Sequence, residues 1–462
     1  MTGPGLWPSL AAVAGILLFA TACGGLLVRA LLPRGAGWRI ERAAWSVAIG
    51  FLLLAVNVVL CFSLRLRPGW ISFVLISAMG AVLAHRFALP RTDALSGVWR
   101  RLSPLGWILL VLSAGGAVIY LLWSLEEPLA SNDYFAIWGL KGKSLYGDAA
   151  IPGRLFDWPQ YAFSNPAYPI GLPILYAGVA FLLGRWDDHA MALLFPFFQA
   201  ATLLALAGWL KRRGSSSTIA LAADALVASF AALYSPVMTG GMAEVPAAFT
   251  FLLVGVAFCD CLEKTDGGPV RRLALAGLLA APVKNEGVFL LGAAFGLLVL
   301  WSLWKRRKLD WRVSAALLLP ALGSYLLHRA VLGGHALRAF DFGLIWKPGF
   351  AGLLRDAFRE AFEQLVVPFW LAVAALLFLV VFAGKPPAFG FLMGLAGASL
   401  AAYLVLPAFC TLGPAWLVHW TSGRIISALA PIAAAGIAAG WGFPISTLEK
   451  VDQPIPPGAA AG

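Results

Sequence analysis

The sequence predicts an all-α polytopic membrane protein with about 13 transmembrane helices. Of its 462 residues, 61% are hydrophobic and only 12% are charged, whereas soluble domains carry about 25% charged residues. Apolar stretches at 6–28, 44–62 and 107–123 reach or approach the ~20 residues that span a bilayer. They must be helical, because lipid offers no hydrogen-bond partner to an open backbone.

Basic residues set the expected topology. The formal charge of +12 is spread over short Lys and Arg clusters between apolar stretches, without the interleaved aromatic residues of a nucleic-acid groove. We therefore expect no nucleic-acid partner. Short basic loops usually stay in the cytoplasm. Five clusters are expected there: Arg29 to Arg42, Arg86 to Arg101, Lys211 to Arg213, Lys264 to Arg272 and Lys305 to Lys308.

Residues 1–104 are expected to form transmembrane helices 1 to 3. The first helix lacks a preceding basic segment and is followed by many spans, so we interpret it as a retained anchor rather than a signal peptide. The five cysteines lie in or at the ends of apolar segments. Neither a disulfide framework nor a metal site is expected from them. No cofactor is expected, and a divalent metal is not indicated.

The region 105–445 begins with one span and then a large outer loop at 126–188. If the apolar segment at about 168–184 crossed the membrane, the cluster at Lys211 would lie outside, against the rule for basic loops. We therefore expect this proline-interrupted segment to be a juxtamembrane helix on the outer face. The resulting loop of roughly 60 residues far exceeds the usual connection of about 4 to 6, which predicts a functional role.

The rest of the chain alternates spans with short loops. Crossings are expected at 189–210, 218–235, 244–262, 272–283, 287–304 and 313–332. A second outer segment, 333–365, leads into the apolar spans, and helical spacing of its apolar residues predicts an interfacial amphipathic helix at 350–366. Final spans at 366–383, 388–409 and 425–444 precede a Pro/Gly/Ala-rich cytoplasmic tail, 446–462.

Few ionisable residues near the membrane lack a topological role. Each is costly there unless it is paired or functional. In the expected topology all of them lie in the outer loop or at outer helix ends, so we expect them to converge on one outward-facing cavity. They are Asp133, Lys141, Lys143, Glu244, Lys284, Glu286, His419 and Arg424.

The early outer loop carries a candidate general base. Asp133 lies just outside a span and can take a proton from an acceptor hydroxyl. Trp138 and Tyr168 can stack on sugar rings, as can Trp158 and Tyr161. The alternative is that Asp133 caps a surface helix and the aromatic residues form an interfacial belt.

The hairpin sequence PVKNEG at 282–287 interrupts a long apolar run. It places Lys284 at the tip, where a flexible ammonium can hold a phosphate; otherwise Lys284 and Glu286 only mark the turn. Glu244 opens an inward-running helix, where the helix dipole stabilises a carboxylate whatever its function. Arg424 precedes the last span and can clamp a phosphate or simply snorkel.

The order of these motifs resembles the bacterial C-type (GT-C) membrane glycosyltransferases, relatives of protein mannosyltransferases and lipid A aminoarabinose transferases. The resemblance covers roughly residues 105–445. It rests on Asp133 followed by W-x-x-K, then on N-P-x-Y-P-x-x-x-P at 165–173, E-V-P at 244–246, K-N-E-G at 284–287 and H-x-x-S-x-R at 419–424.

This resemblance implies a GT-C-like fold in the cell (inner) membrane. It also implies inverting transfer of a sugar from a polyprenyl-phosphate donor to a glycan, lipid or protein acceptor at the periplasmic or exterior face. Asp133 would then be the base and Lys141, Lys284 and Arg424 the donor phosphate partners. Substrate contacts would come from Trp138, Tyr168, Glu244, Glu286 and His419.

Two departures from the family pattern leave the metal requirement and the acceptor open. Many relatives carry two adjacent acids where this chain has Asn132 and Asp133, and helices 1 to 3 have no evident counterpart. Two other functions stay open. A polysaccharide polymerase or ligase usually relies on a large outer loop late in the chain, and a transporter or flippase predicts ionisable groups near the bilayer midplane.

Overall fold

The computed structural model describes residues 6–32, 39–87, 102–126, 129, 131–150, 168–230, 233–234, 240–263, 267–332, 349–364, 387–405 and 427–440. Within these ranges all regular elements are helices. The first eight are α1 Leu6–Leu27, α2 Arg39–Ser63, α3 Trp70–Arg86, α4 Pro104–Glu126, α5 Gly139–Asp148, α6 Gly171–Leu183, α7 Asp188–Met191 and α8 Leu194–Arg212.

The remaining described helices complete the bundle. They are α9 Ser217–Ala228, α10 Glu244–Glu263, α11 Gly267–Val283, α12 Asn285–Trp304, α13 Trp311–Leu332, α14 Phe350–Gln364, α15 Pro387–Val405 and α16 Ser427–Gly440. Six of the described helical segments are long and apolar enough to cross a membrane, namely those containing α1, α2, α4, α8, α10 and α12.

The chain is therefore a helical membrane protein, as the sequence predicts. The count of about 13 spans stays a prediction, and the span expected at 366–383 lies outside the described residues. The amphipathic helix expected at 350–366 is confirmed as α14, whose Arg355 and Asp356 side chains are 81% and 51% exposed.

One end of the bundle, here called the basic end, holds a cluster of buried ion pairs. Arg212 at the end of α8 contacts Glu41 of α2 at 2.7 Å and Asp260 of α10 at 2.6 Å. Arg272 of α11 contacts the same Asp260 oxygen at 2.8 Å, and Arg213 lies 3.5 Å from the other oxygen. Three arginines from two helix ends thus surround one carboxylate.

The ends of α1 and α3 also reach the basic end. The Arg271 guanidinium donates to the carbonyl of Ala30 at 3.0 Å and to that of Phe87 at 3.1 Å. Four of the five predicted cytoplasmic clusters therefore meet at the basic end. Each contributes either a residue of its own or one from the adjoining helix end. This agrees with an assignment of these clusters to one side of the membrane.

Helix α6 lies near one end of the bundle. The Trp70 indole, at the start of α3, donates to the carbonyl of Leu182 at 2.9 Å, and the Gly171 backbone packs against the carbonyl of Pro282 at the end of α11. Both ends of α6 therefore lie at the end of the bundle opposite the basic end, which we call the site end. This placement agrees with a segment that does not cross the membrane, which stays a prediction.

The sequence did not predict, however, how deeply α6 is buried within the protein. Its residues from Leu172 to Leu182 are all buried. The helix is covered by α5 and α2. A Cβ added at Gly178 would lie 3.4 Å from the Leu54 carbonyl oxygen, which is ordinary van der Waals contact. Hydropathy does not separate burial in lipid from burial in protein, so the sequence alone did not reveal this.

Candidate active site

Within the early loop, residues 134–148 form one continuous helical unit. One π-helical turn, Tyr134–Trp138, leads directly into α5. The N–H of Tyr134 donates to the hydroxyl of Ser131 at 3.1 Å, so Ser131 caps this turn. The Asp133 side chain makes no capping hydrogen bond here, and its residue is partly exposed. π-Helical turns are frequent at functional sites, and this one positions Asp133, Trp138 and Lys141.

Lys141 is held in a buried position by the segment before α6. Its residue is 1% exposed, and its Nζ donates to the carbonyl of Tyr168 at 3.0 Å. The Trp138 ring, also 1% exposed, meets the Tyr168 ring edge to face at a centroid distance of 5.3 Å. Burial lowers the pKa of Lys141 to about 7, because the charged form loses hydration.

The PVKNEG sequence forms the expected hairpin between α11 and α12. Lys284 has extended backbone, with φ −153° and ψ 149°, and the N–H of Gly287 donates back to its carbonyl at 2.9 Å. Gly287 packs directly on the carbonyl of Ala280, where any side chain would collide with backbone. The glycine of this motif is therefore required by the close approach of α11 and α12.

Three of the predicted residues form one buried ion cluster at this hairpin. The Lys284 ammonium lies 3.2 Å from a Glu244 carboxylate oxygen and 3.2 Å from a Glu286 oxygen. The Glu244 side chain is fully buried, the Lys284 side chain is 4% exposed, and that of Glu286 is 19% exposed. Among the described side chains, Glu244 and Glu286 therefore share one ammonium.

The helical unit of the early loop and the hairpin belong to the same site end. Gly171, three residues after Tyr168, packs on Pro282, two residues before Lys284. On the other side, Gly241, three residues before Glu244, packs against the Tyr134 ring. A Cβ added at Gly241 would lie only 2.6 Å from that ring. These described segments therefore lie together at one end of the bundle, whereas the outward-facing cavity stays a prediction.

The predicted site residues divide into two groups. Asp133, Trp138, Lys141, Tyr168, Glu244, Lys284 and Glu286 all lie at the site end. Their roles stay predictions. His419 and Arg424 fall outside the described residues, as do Trp158 and Tyr161.

A second polar network at the site end was missed by sequence reasoning. The Trp186 indole donates to Asp188 Oδ1 at 2.6 Å, and the Tyr134 hydroxyl donates to the same oxygen. Tyr176 of α6 donates to the carbonyl of Gly241 at 2.9 Å. The pKa of Tyr134 is raised by burial and, to a smaller extent, by the Asp188 charge. The available signal was the acidic pair at 187–188 that closes the loop.

Sequence reasoning also missed an acid inside the bundle. Asp224 lies in the middle of α9, within the span expected at 218–235, and is 5% exposed. Its signal was simple, since one carboxylate interrupts the otherwise apolar sequence IALAADALVA. The interpretation that ionisable groups without a topological role gather at one membrane face is therefore incomplete.

Comparison of the chain with protein-family models, with curated proteins and with solved structures found no match. Function must therefore be argued from the site itself.

Proposed function

We propose that this protein is a membrane glycosyltransferase that moves a sugar from a polyprenyl-phosphate donor to a glycan, lipid or protein acceptor. The proposal is carried by one observation. Seven residues from separate segments, singled out by their chemistry in the sequence, gather at one end of an apolar helical bundle. A donor with a lipid tail requires this arrangement of a polar site beside a membrane-embedded surface.

Lys141 is the group best suited to the donor phosphate. Its ammonium is buried beside a main-chain carbonyl, and burial has lowered its pKa to about 7. A phosphate anion at this position would favour the charged form and compensate the desolvation. Lys284 is shared between Glu244 and Glu286, so in this proposal it orients those carboxylates toward sugar hydroxyls and contacts phosphate only after releasing one of them.

Asp133 is proposed as the base. The acceptor oxygen attacks the anomeric carbon, the bond from that carbon to the phosphate oxygen breaks, and the acceptor proton moves to the Asp133 carboxylate. Polyprenyl phosphate leaves with the bonding electron pair. Because phosphate is already a good leaving group, positioning and charge stabilisation supply most of the catalysis. Attack from the face opposite the leaving group inverts the anomeric configuration.

In this proposal the basic end faces the cytoplasm and the site end faces the periplasm or exterior of the inner membrane. The support is the gathering of Arg212, Arg213, Arg271 and Arg272 at the end of the bundle away from Lys141 and Lys284. Short basic loops are retained in the cytoplasm. A lipid-linked donor carrying its sugar outside would then meet the site at the bilayer edge.

A transporter of lipid-linked sugars is the second candidate. One observation favours it, namely the buried Asp224 inside the bundle, since transporters place ionisable groups within the membrane. The glycosyltransferase is preferred because the Lys284 ion cluster, Lys141 and Asp133 lie at one end of the helices rather than at their middle.

The test uses purified protein in proteoliposomes with radiolabelled polyprenyl-phosphate sugars and candidate acceptors. The glycosyltransferase proposal expects label to leave the lipid and enter the acceptor. It expects Asp133→Asn to abolish this transfer while the variant still binds donor. Asp148→Asn, the same change at an exposed acid of the same loop, is the control expected to retain transfer. Donor that crosses the bilayer with its sugar still attached would instead establish the transporter.

A further inference from the structure

Helix α4 carries its polar groups on its inner face. Its buried residues are Gly106, Ser113, Tyr120 and Ser124, whereas its exposed residues are large and apolar, such as Val111 at 67% and Ile119 at 61%. Exposed apolar side chains suit a lipid-facing surface. The protein interior beside α4 is therefore lined by hydroxyl groups at helical spacing, from Ser113 to Ser124.

Asp224 of α9 lies beside this hydroxyl-lined face. The Ser103 and Thr218 hydroxyls lie 3.2 Å apart at one end of the α4–α9 pair. Farther along, Gly116 packs on Ala228, and a Cβ added at Gly116 would lie 3.0 Å from the Ala228 carbonyl oxygen. The two helices therefore run parallel. Ser113 and Asp224 both lie between these two contacts. Seven residues into α9, Asp224 is about 10 Å along the helix axis.

Helix α8 contributes further polar groups on the other side. Gln199 and Thr202 are both fully buried and, three residues apart, share one face of α8. Tyr234 follows α9, is 4% exposed, and its ring centroid lies 5.2 Å from that of Tyr120. The Tyr234 hydroxyl lies near both Thr202 and Asp224.

Several of these buried polar atoms have no hydrogen-bond partner in the part of the chain described. They are Oδ1 of Asp224, both side-chain amide atoms of Gln199 and the hydroxyl oxygen of Ser113. Such groups are rare in native proteins, because each one costs the desolvation of a donor or acceptor. Their occurrence together marks a polar site within the apolar bundle.

The charges around Asp224 indicate that the ligand of this site is a proton. Among the described residues, the titratable group near Asp224 is Tyr234, whose ring packs on Tyr120 of α4. Both phenols are neutral when protonated. On α8 the first cation after Thr202 is Lys211, more than two turns away at the basic end. An ionised carboxylate without a cation costs several kcal/mol in such surroundings. A bound proton removes that charge.

We propose that Asp224 is an exchangeable proton-binding site inside the membrane bundle, assembled between α4, α8 and α9. The neutral carboxyl donates to one of the neighbouring oxygen acceptors, Ser113, Thr202 or the Gln199 amide. Tyr120 and Ser124 continue the hydroxyl row of α4 toward the site end, and this row is the proposed route of exchange with water. The proposal does not depend on the glycosyltransferase activity.

The test is infrared difference spectroscopy of wild-type protein and Asp224→Asn in proteoliposomes. The wild type is expected to show the C=O band of a protonated carboxylic acid at neutral pH, absent in the variant, shifting in D₂O and disappearing reversibly in alkali. A band that never exchanges in D₂O would make Asp224 a static structural acid and overturn the proposal. So would an ionised carboxylate at neutral pH, whether held by a metal cation or by water.

A second measurement needs no variant and so stands if Asp224→Asn fails to fold. A hydrophobic carbodiimide modifies protonated carboxyls in apolar surroundings, and peptide mass spectrometry locates the adduct. Asp224 is expected to be labelled, with labelling lost as the pH is raised. Asp260, surrounded by three arginines, is the matched carboxylate expected to stay unlabelled. Equal labelling of both acids, or labelling of neither, would contradict the proposal.

Discussion

The two ends of the bundle both bury charges, but they hold them in different ways. At the basic end Asp260 accepts from Arg212 at 2.6 Å and from Arg272 at 2.8 Å. At the site end the Lys284 ammonium is 3.2 Å from each of two carboxylates. Lys141, also at the site end, donates to a main-chain carbonyl and has a lowered pKa.

This difference is the one expected if the basic end stabilises the fold and the site end binds a phosphate, as we propose. Guanidinium groups stay charged and offer rigid sets of donors, so the arginine cluster ties α2, α8, α10 and α11 together permanently. Lysine changes its protonation state and its partner more readily when buried. A site that must accept and release a charged phosphate requires such adjustable cations, and the following experiments test this contrast.

The largest expected effect is at the basic end. Asp260→Ala removes the carboxylate shared by Arg212, Arg213 and Arg272 and leaves buried guanidinium groups without it. Loss of one partner of a buried pair costs about 3–5 kcal/mol. Thermal unfolding can be followed by dye labelling of the buried thiols Cys23, Cys61, Cys259 and Cys261.

The matched control is Glu263→Gln, which removes a carboxylate that contacts Arg213 but is 40% exposed. Exposed pairs contribute less than about 1 kcal/mol, so this variant should unfold nearly as the wild type does. Equal destabilisation by the two substitutions would show that the basic end is not a specific cluster around Asp260.

The next effect concerns the junction between the early loop and the hairpin. Gly171→Ala would drive a methyl group into the Pro282 carbonyl, and such overpacking costs about 1–3 kcal/mol. Sugar transfer should fall with it, since Tyr168 and Lys284 would move apart. Gly292→Ala, on α12 with open space around it, should leave both stability and transfer unchanged. If transfer survives Gly171→Ala, the two segments do not form one site.

A smaller effect is expected from Lys141→Met, which should keep or raise stability but weaken donor binding. The folded-state pKa, about 7, lies below the ordinary value of 10.5, so between these values the unfolded chain binds more protons and wild-type stability rises with pH. Lys141→Met removes this rise and should unfold at the same or a higher temperature at pH 7. Donor binding should weaken at least about tenfold, which is ~1.4 kcal/mol. A destabilised variant that still binds donor would make Lys141 structural.

The smallest effect is the pH dependence of donor binding. Lys141 loses its charge as the pH rises through about 7, so donor affinity should decrease several-fold above that value. The decrease is limited because the bound phosphate itself raises the pKa of Lys141. Lys141→Arg keeps the charge throughout and should flatten the profile in a filtration binding assay with labelled donor. A wild-type profile that is already flat would remove Lys141 from donor recognition.

Much of the architecture could be predicted from hydropathy and from the positions of basic residues. The apolar segments, the amphipathic helix α14 and the hairpin at Lys284 follow from local patterns. The convergence of the early loop with Glu244 and Lys284 was predicted from topology. The alternation of inward and outward spans places the loop and these two helix ends on the same side of the membrane.

The remaining features depend on contacts between distant segments. Full burial of α6 requires α2 and α5 to cover it, and no local pattern distinguishes this from contact with lipid. The Tyr134, Trp186 and Asp188 network joins residues about fifty positions apart. Asp224 was visible as one acid in an apolar span, but its polar surroundings come from α4 and α8.

The central claim is that the site end, and not the basic end, receives a lipid-linked sugar phosphate. The most direct test is photo-crosslinking of wild-type protein in proteoliposomes with a polyprenyl-phosphate sugar that carries a photoreactive group near its phosphate. Peptide mass spectrometry is predicted to find adducts around Trp138, Lys141 and Tyr168 or at the Lys284 hairpin, reduced by excess unlabelled donor. Adducts confined to the peptides of Arg212 and Arg272, or unaffected by competing donor, would contradict the account.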